Sequence, residues 1–582
     1  MSERPKPSRA AACTSGYAFT RGSRYALPEY PFVEPPEIHC AAVVRHPVVI
    51  VGAGITGLTL ACALARQGVA AILLDEDNTV GVKGASSRGI CYTQKSLEIF
   101  DRLGVFARIA HKGVQWSVGR TFAGADEVYS FDLRQQENFQ LSVQPPFTNI
   151  QQFYIEGFLV ERISELNAKA TATRQVQLRW CSRVTGFHQH PGFATLTVST
   201  PAGSYQLQAE HVVDASGAHS PFHSWCGATL RTTQGDDRWC IADVRFETPA
   251  PAERHTWIEA PFNENRAVWQ HLMADDVWRI DYQMEPDADP ACIASETQVR
   301  ERLRRQFGDR AQWEIVWVGP YVYRSQCLER LRIGSVFFIG DAAKIVSPFG
   351  ARGGNTGVAD ADNLAWKLAA VLQGSAPAAL LESYNEERLE AAQTNVRVTN
   401  RTTRFLRPAD GVERVFRSAV IGLARQYPFA RQLVNTGRMA VANPYSRSSV
   451  CAATGGLSVQ NVRLRWADGK VGCVNDLLRW ANGRLLLLAF GDLSAIACQR
   501  LIRLGTQAPL RSVQVHAPGA RPKARESVLD PLGHVQGACH LYGHAWALLR
   551  PDGYLAATGE AVDGALVAAV ARAIGMHTKE RA

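Results

Sequence analysis

The sequence predicts an α/β protein organised around a parallel sheet, and three observations predict it. From Pro47 the chain reads as a buried strand, a glycine turn, a helix and a second buried strand, all within the roughly 30 residues a βαβ unit needs. Far downstream, Val336-Phe337-Phe338-Ile339 runs as another buried strand into Gly340-Asp341, a glycine-rich loop and a long helix. Between these stretches lie runs of two-residue alternation, the pattern of antiparallel sheet.

Residues 1–45 form an extension without a core of its own, because Tyr30-Pro31 and Glu34-Pro35-Pro36 hold extended or turn backbone. A buried strand is expected over 48–51, a turn over 52–57 and a helix over 58–67, with Gly68 suited to the left-handed position past a helix end. The second buried strand, 69–74, ends at Asp75. Residues 178–217 read as a meander with turns at His190-Pro191-Gly192 and Pro201-Ala202-Gly203. Its final strand, His211-Val212-Val213, feeds Asp214-Ala215-Ser216-Gly217.

Residues 230–330 read as a β-rich insert. One of its strands places Trp278, Ile280, Tyr282 and Met284 on one face and Arg279, Asp281 and Gln283 on the other. After the strand at 336–339 a helix is expected from about Thr356 to Leu372, with further helices to about residue 440. Asn443-Pro444, three serines and Gly455-Gly456 mark 441–457 as a linker. A separate α/β unit follows over 458–582, with strands at 485–489 and 513–516 and a helix over 561–574. The expected order is therefore extension 1–45, nucleotide-binding first part 46–229, insert 230–330, second part 331–440, linker 441–457 and C-terminal unit 458–582.

Composition excludes several classes. Of the 582 residues, 46% are hydrophobic and 20% charged, which fits large cores and not disorder. The net charge of +9 is dispersed, its densest cluster being Arg302, Arg304 and Arg305, so nucleic acid is not an expected partner. The 13 cysteines form no CxxC pair and no zinc spacing with histidine, so neither a disulfide framework nor a metal is expected, and a cytoplasmic setting is. Residues 1–36 lack the apolar core of a secretory signal. The apolar stretch 48–65 carries three glycines and two threonines between Gly52 and Thr59 and changes character midway, so no membrane span is expected.

Two motifs carry chemistry. In Gly52-Ala53-Gly54-Ile55-Thr56-Gly57 the first glycine permits the tight turn, the second admits a pyrophosphate to the backbone, and the third lets helix and strand pack closely. The helix N-terminus attracts the phosphate charge. Asp75, 18 residues past Gly57 at the end of the next strand, is placed to accept hydrogen bonds from ribose hydroxyls. In the second motif Asp341 ends a strand and is placed to hold a further sugar-like chain. Ser347-Pro348-Phe349-Gly350-Ala351-Arg352-Gly353-Gly354-Asn355-Thr356-Gly357 then opens a helix whose amides face an electron-rich ring edge.

These motifs, with Asp360-Ala361-Asp362-Asn363-Leu364-Ala365-Trp366-Lys367-Leu368, resemble those of the single-component FAD-dependent aromatic hydroxylases, the family of phenol hydroxylase and 3-(3-hydroxyphenyl)propionate hydroxylase. The resemblance spans about 46–400. It implies a Rossmann-like FAD-binding domain with an interleaved β-rich substrate domain. Residues 441–577, with Arg550-Pro551-Asp552-Gly553-Tyr554, resemble the thioredoxin-like C-terminal domain of many members. Without CxxC that domain is expected to be structural or oligomeric.

By the same resemblance FAD would be held by Gly52, Gly54, Gly57, Asp75, Arg88, Gln152, Gly340, Asp341, Gly350, Gly354 and Asn355, with Gln151 the alternative to Gln152. Pro348 would lie at the ring face where substrate sits, and Arg279 and Gln283 are expected to line the substrate pocket, with Tyr321 and Tyr323 as further candidates. The implied reaction uses NAD(P)H and O2 to hydroxylate a small aromatic substrate through a flavin hydroperoxide. A homodimer is one option for assembly.

Two departures from the family pattern stand out. Ser216 occupies an aspartate position, and His219 and His223 occupy arginine positions, in the segment tied to nicotinamide handling. Lys344 replaces a histidine, and either pairs with a phosphate or acidic substrate or lies in solvent. Epoxidation or halogenation on the same scaffold, and a non-catalytic FAD-binding sensor or assembly protein, are the alternative readings.

Overall fold

The computed structural model describes residues 25, 27–40, 42–81, 89–247, 251–285, 287–289, 292, 294–347, 349–408, 411–431, 433, 440–517, 519–520, 526–539 and 545–576. Its first sheet runs in the order Arg332–Ile333, Val336–Phe338, Gly203–Asp214, Val44–Val51, Ala71–Leu74, Val176–Arg179. Val44–Val51 is parallel to both neighbours, which is why its last four residues, Val48 to Val51, are apolar and buried on both faces. Each such side chain stabilises the core by about 1.5–3 kcal/mol.

The helix Ile55–Arg66 packs on this sheet and against the helix Gly353–Leu372. Gly68, at φ +68°, turns the chain into Ala71–Leu74. The meander is present, but its last strand is one continuous element, Gly203–Asp214. It pairs antiparallel with Phe193–Thr200 and parallel with Val44–Val51, and so joins meander to parallel core.

The β-rich insert forms a second sheet, ordered Lys344–Ile345, Trp313–Leu328, Leu230–Phe246, Val277–Gln283, Arg266–Leu272, Arg254–Ala260, Val118–Ala123, Asp126–Asp132. Its last two strands come from well before residue 230, and Val118–Ala123 pairs parallel with Arg254–Ala260. All seven residues of Val277–Gln283 are buried, so the polar face formed by Arg279, Asp281 and Gln283 looks into the molecule and not into solvent.

The C-terminal unit is an α/β domain. Its sheet runs Val471–Cys473, Arg463–Trp466, Ser527–Leu529, Leu510–His516, Leu485–Phe490, Trp546–Leu549, Leu555–Gly559, flanked by Val474–Ala481, Ala495–Gln507 and Gly564–Ala573. Within residues 441–457 several residues are buried, Tyr445, Val450 and Cys451 among them. Tyr445 is buried, stacks on Tyr554 at 4.3 Å and donates its backbone N–H no further than Gly456. The extension is also anchored where it is described. Tyr30 stacks on Trp180, and Arg179 and His46 both hold the buried Glu37 carboxylate.

Candidate active site

The site begins where parallel strands end. Leaving Val51, the chain turns so tightly that a Cβ on Gly52 would lie 2.5 Å from the Ala215 carbonyl oxygen, and one on Gly57 would lie 2.0 Å from that of Gly52. Gly54 differs. A Cβ there meets nothing nearer than Glu156 Oε1 at 4.0 Å, so its missing side chain leaves an open cradle at the start of the helix Ile55–Arg66. Beside it, Asp75 Oδ2 accepts from the Ala53 N–H at 2.5 Å and Oδ1 from the Asp77 N–H at 2.8 Å. Burial pushes the Asp75 carboxyl up to about 7 against these two donors.

The second strand end meets the first through close backbone packing. Gly340 has φ +63°, and Cβ atoms on Gly340 and Gly357 would lie 2.8 and 2.3 Å from Thr56 Oγ1. Glycine at both positions therefore brings the two helix N-termini together. The Asn355 side chain ties the loop down: it donates to the Cys91 and Ala351 carbonyls, both at 2.7 Å, and accepts from the Thr93 N–H at 2.9 Å. At Gly353 and Gly354 the backbone is again open, with nothing nearer than Val346 at 4.0 Å from either added Cβ.

A continuous cavity of about 850 Å³ links these features. Gly52, Gly54 and Asp75 line one end, and Asp341, Gly350, Gly354 and Asn355 line the other. Gly57 and Gly340 stand behind the lining, in the packing that shapes it. Gln152 lines the cavity, accepting from the Gly89 N–H at 3.0 Å and donating to Glu156 at 2.7 Å. Gln151 turns away and donates to the Ala274 carbonyl. Arg88 and Pro348 lie outside the described residues.

The second sheet supplies the remaining wall. Arg279 lines it, but its guanidinium is engaged by Asp243 at 2.5 and 3.1 Å, and Tyr25 donates to the same carboxylate at 3.1 Å. Gln283 requires a correction. It is not in the lining, because its amide oxygen accepts from the Ala267 N–H within the sheet, at 3.2 Å. Tyr321 does line the cavity, and the Tyr323 side chain is outside the description.

Several lining residues escaped the sequence reading: Arg254, Trp269, His271, Asp281, Cys91 and Glu156. Neither 254–260 nor 266–272 alternates apolar with polar residues, so the first three carried no such signal, whereas Glu156 was signalled by its four-residue spacing from Gln152 on one helix. Desolvation keeps His271 neutral, with Nδ1 3.5 Å from Cys91 Sγ. Burial pushes the Asp281 carboxyl up to about 7 although Arg279 pulls the other way.

The departures from the family pattern take structural roles. Ser216 and Ser220 donate to the buried Asp214 at 2.6 and 2.5 Å, and His223 donates to the Ala342 carbonyl at 2.7 Å. Lys344 neither meets solvent nor lines the cavity. It is buried in an ion pair with Asp360, which Arg388 also holds at 2.7 Å.

A tight turn with an open cradle, a carboxylate at the next strand end and a second glycine loop across one cavity fit a stretched dinucleotide. A family model described as FAD binding domain matches residues 45–399. The chain belongs to this family of FAD-dependent flavoprotein monooxygenases. It is 30% identical over 352 residues, 59% of this chain and 71% of the relative, to a flavin-dependent monooxygenase of Mycobacteroides abscessus. It is 27% identical over 424 residues, 70% of this chain and 73% of the relative, to the 3-(3-hydroxy-phenyl)propionate/3-hydroxycinnamic acid hydroxylase of Burkholderia cenocepacia. The fold matches the flavin-dependent monooxygenase PieE, crystallised with FAD and substrate, at a TM-score of 0.76 and 21% identity, over 92% of this chain and 100% of that one. Among the described residues no helix is long and apolar enough to cross a membrane.

Proposed function

We propose that the chain hydroxylates a small aromatic substrate, using NAD(P)H and O2. The observation that carries this reading is the single cavity that runs from Asp75 past the 350–355 loop to the wall formed by Arg254, Trp269, His271, Arg279, Asp281 and Tyr321. The first two features suit FAD, and the aromatic and polar wall suits a ring bearing a polar substituent. The relatives' names point the same way: one acts on 3-(3-hydroxy-phenyl)propionate and 3-hydroxycinnamic acid.

FAD, when bound, supplies hydride acceptance and oxygen activation. The chain's residues bind and orient. Gly54 and the N-terminus of Ile55–Arg66 would hold the pyrophosphate, Asp75 the adenosine ribose, and Asp341 the ribityl chain, with the 350–355 loop beside the ring. Trp269, stacked on Trp239 at 4.6 Å and edge-on to Phe349 at 4.5 Å, keeps the substrate end apolar and excludes water.

The test is oxidation of NADH and NADPH by purified protein with and without a panel of phenols and aromatic acids. Stimulated oxidation with a product one oxygen heavier supports the reading. Absence of oxygenated product from every ring, in a protein that holds FAD, contradicts it.

A further inference from the structure

We propose that Asp281 is the proton acceptor for a hydroxyl group on the substrate ring. The inference rests on the aromatic-hydroxylase reading and names the residue that would make such a ring reactive.

Two carboxyls lie on the same face of the central strands and have opposite surroundings. Asp243 is fully buried and satisfied, with both oxygens engaged by Arg279 and a further donor in Tyr25. Asp281, two residues beyond Arg279 and directly opposite both Ile241 and Trp269 in register, lines the cavity and keeps 9% of its surface open. Among the described residues nothing donates a hydrogen bond to its buried Oδ1. A buried carboxyl oxygen without a donor is costly, and a ligand that brings the donor relieves that cost. The cavity that Asp281 lines can bring that donor.

The charged and titratable groups around it come from several neighbouring strands. They are Arg279 on its own strand, Asp243 and Cys240 on Leu230–Phe246, Arg254 on Arg254–Ala260, and Cys91 from the first domain, with His271 lining the same cavity. His271 is neutral, and Arg279 is compensated by Asp243. The balance leaves Asp281 with burial as its dominant influence and its carboxyl near 7, where a group both takes and returns a proton at neutral pH. Two carboxyls set apart by environment in this way divide into a structural and a reactive member.

In the step, the O–H bond of the substrate hydroxyl breaks and the proton passes to Asp281. The electron pair of that bond stays on the substrate oxygen as a phenolate, which raises the electron density of the ring. The proton leaves Asp281 when the product re-protonates or departs.

The test uses the FAD-loaded full chain with 4-methylphenol, which keeps its proton in solution across the pH series, and its methyl ether, 4-methylanisole, which has no proton to give. Binding is followed by the change each probe makes in the flavin absorbance. Wild type is expected to prefer the phenol by about tenfold or more, the worth of a hydrogen bond to a charged group. That preference should decline as pH falls through about 7. Asp281→Asn, whose amide oxygen still accepts a hydrogen bond but takes no proton, is expected to keep a smaller preference for the phenol and to lose the pH dependence, with FAD retained. Equal affinity for the two probes in wild type, or an unchanged preference in Asp281→Asn, overturns the proposal. The wild-type pH series stands alone if the variant does not fold. A protein that does not take up FAD refutes the functional reading instead, so the two failures are distinct.

Discussion

Arg550 and Glu387 form a two-pronged ion pair, at 2.5 and 2.9 Å, with neither side chain reached by solvent. Arg550 belongs to the C-terminal domain and Glu387 to the helix Glu382–Leu406, so the pair joins that domain to the flavin-binding part. Asp552 and Lys367 complete it, at 2.6 Å from Arg550 and 2.7 Å from Glu387.

Breaking this pair from one side should be costly. Arg550→Met leaves buried carboxyls undercompensated and is expected to lower unfolding free energy by about 3–5 kcal/mol. Urea denaturation checks it. Burial opposes the charge on Glu387, yet Arg550 and Lys367 overcome it and hold the carboxyl well below its usual 4.5. A depressed acid stabilises above its unfolded value, so wild type should lose stability as pH falls below 4.5. Glu387→Gln, already destabilised, should show a smaller loss over that window.

The two glycines of the turn should respond in opposite ways. Gly57→Ala places a methyl 2.0 Å from a carbonyl oxygen and should destabilise the fold itself. Gly54→Ala meets nothing nearer than Glu156 Oε1 at 4.0 Å, an unstrained contact, so the apo protein should unfold within about 0.5 kcal/mol of wild type. Its FAD affinity should nonetheless fall at least about tenfold, because the methyl occupies the phosphate cradle. Thermal denaturation and flavin fluorescence titration separate the two effects.

Asp75 should make FAD binding pH-dependent. Its carboxyl, raised by burial to about 7, must be ionised to accept two ribose hydroxyls. FAD affinity is therefore expected to rise as pH climbs through about 7, and to lose that dependence in Asp75→Asn. The apo protein shows the converse sign: a raised acid holds its proton in the folded state, so its contribution declines between pH 3.8 and 7. Fluorescence titration over pH 5.5 to 8.5, roughly bracketing that value, checks the first expectation.

Arg279 should behave as a structural residue first. Arg279→Met strips Asp243 of its ion partner in a buried strand and should destabilise by about 3–5 kcal/mol. Removing both charges with Asp243→Leu should recover part of the loss, which a double-mutant cycle in urea would show.

The sequence was most legible where local chemistry dictates structure. The glycine turn, the apolar run 48–51 and Asp75 lie within one βαβ unit, and each constrains its neighbours in sequence. Pairings across distance were less legible. Nothing in 118–132 announces that Val118–Ala123 will join Arg254–Ala260, more than a hundred residues on. Lys344 read as a ligand or surface residue because its partner, Asp360, comes from the following helix. Alternation placed Arg279, Asp281 and Gln283 on one face, but it could not show that Gln283 would be consumed within the sheet while Asp281 reached the cavity.

The central claim is a dinucleotide stretched between Asp75 and the 350–355 loop. Its most direct measurement is paired titration of the apo protein with FAD and with FMN, which lacks the adenosine half. FAD is expected to bind at least about tenfold more tightly, a difference of about 1.4 kcal/mol, and Asp75→Asn to narrow the gap. Equal affinity for the two flavins, or no binding of either by folded protein, would contradict the account.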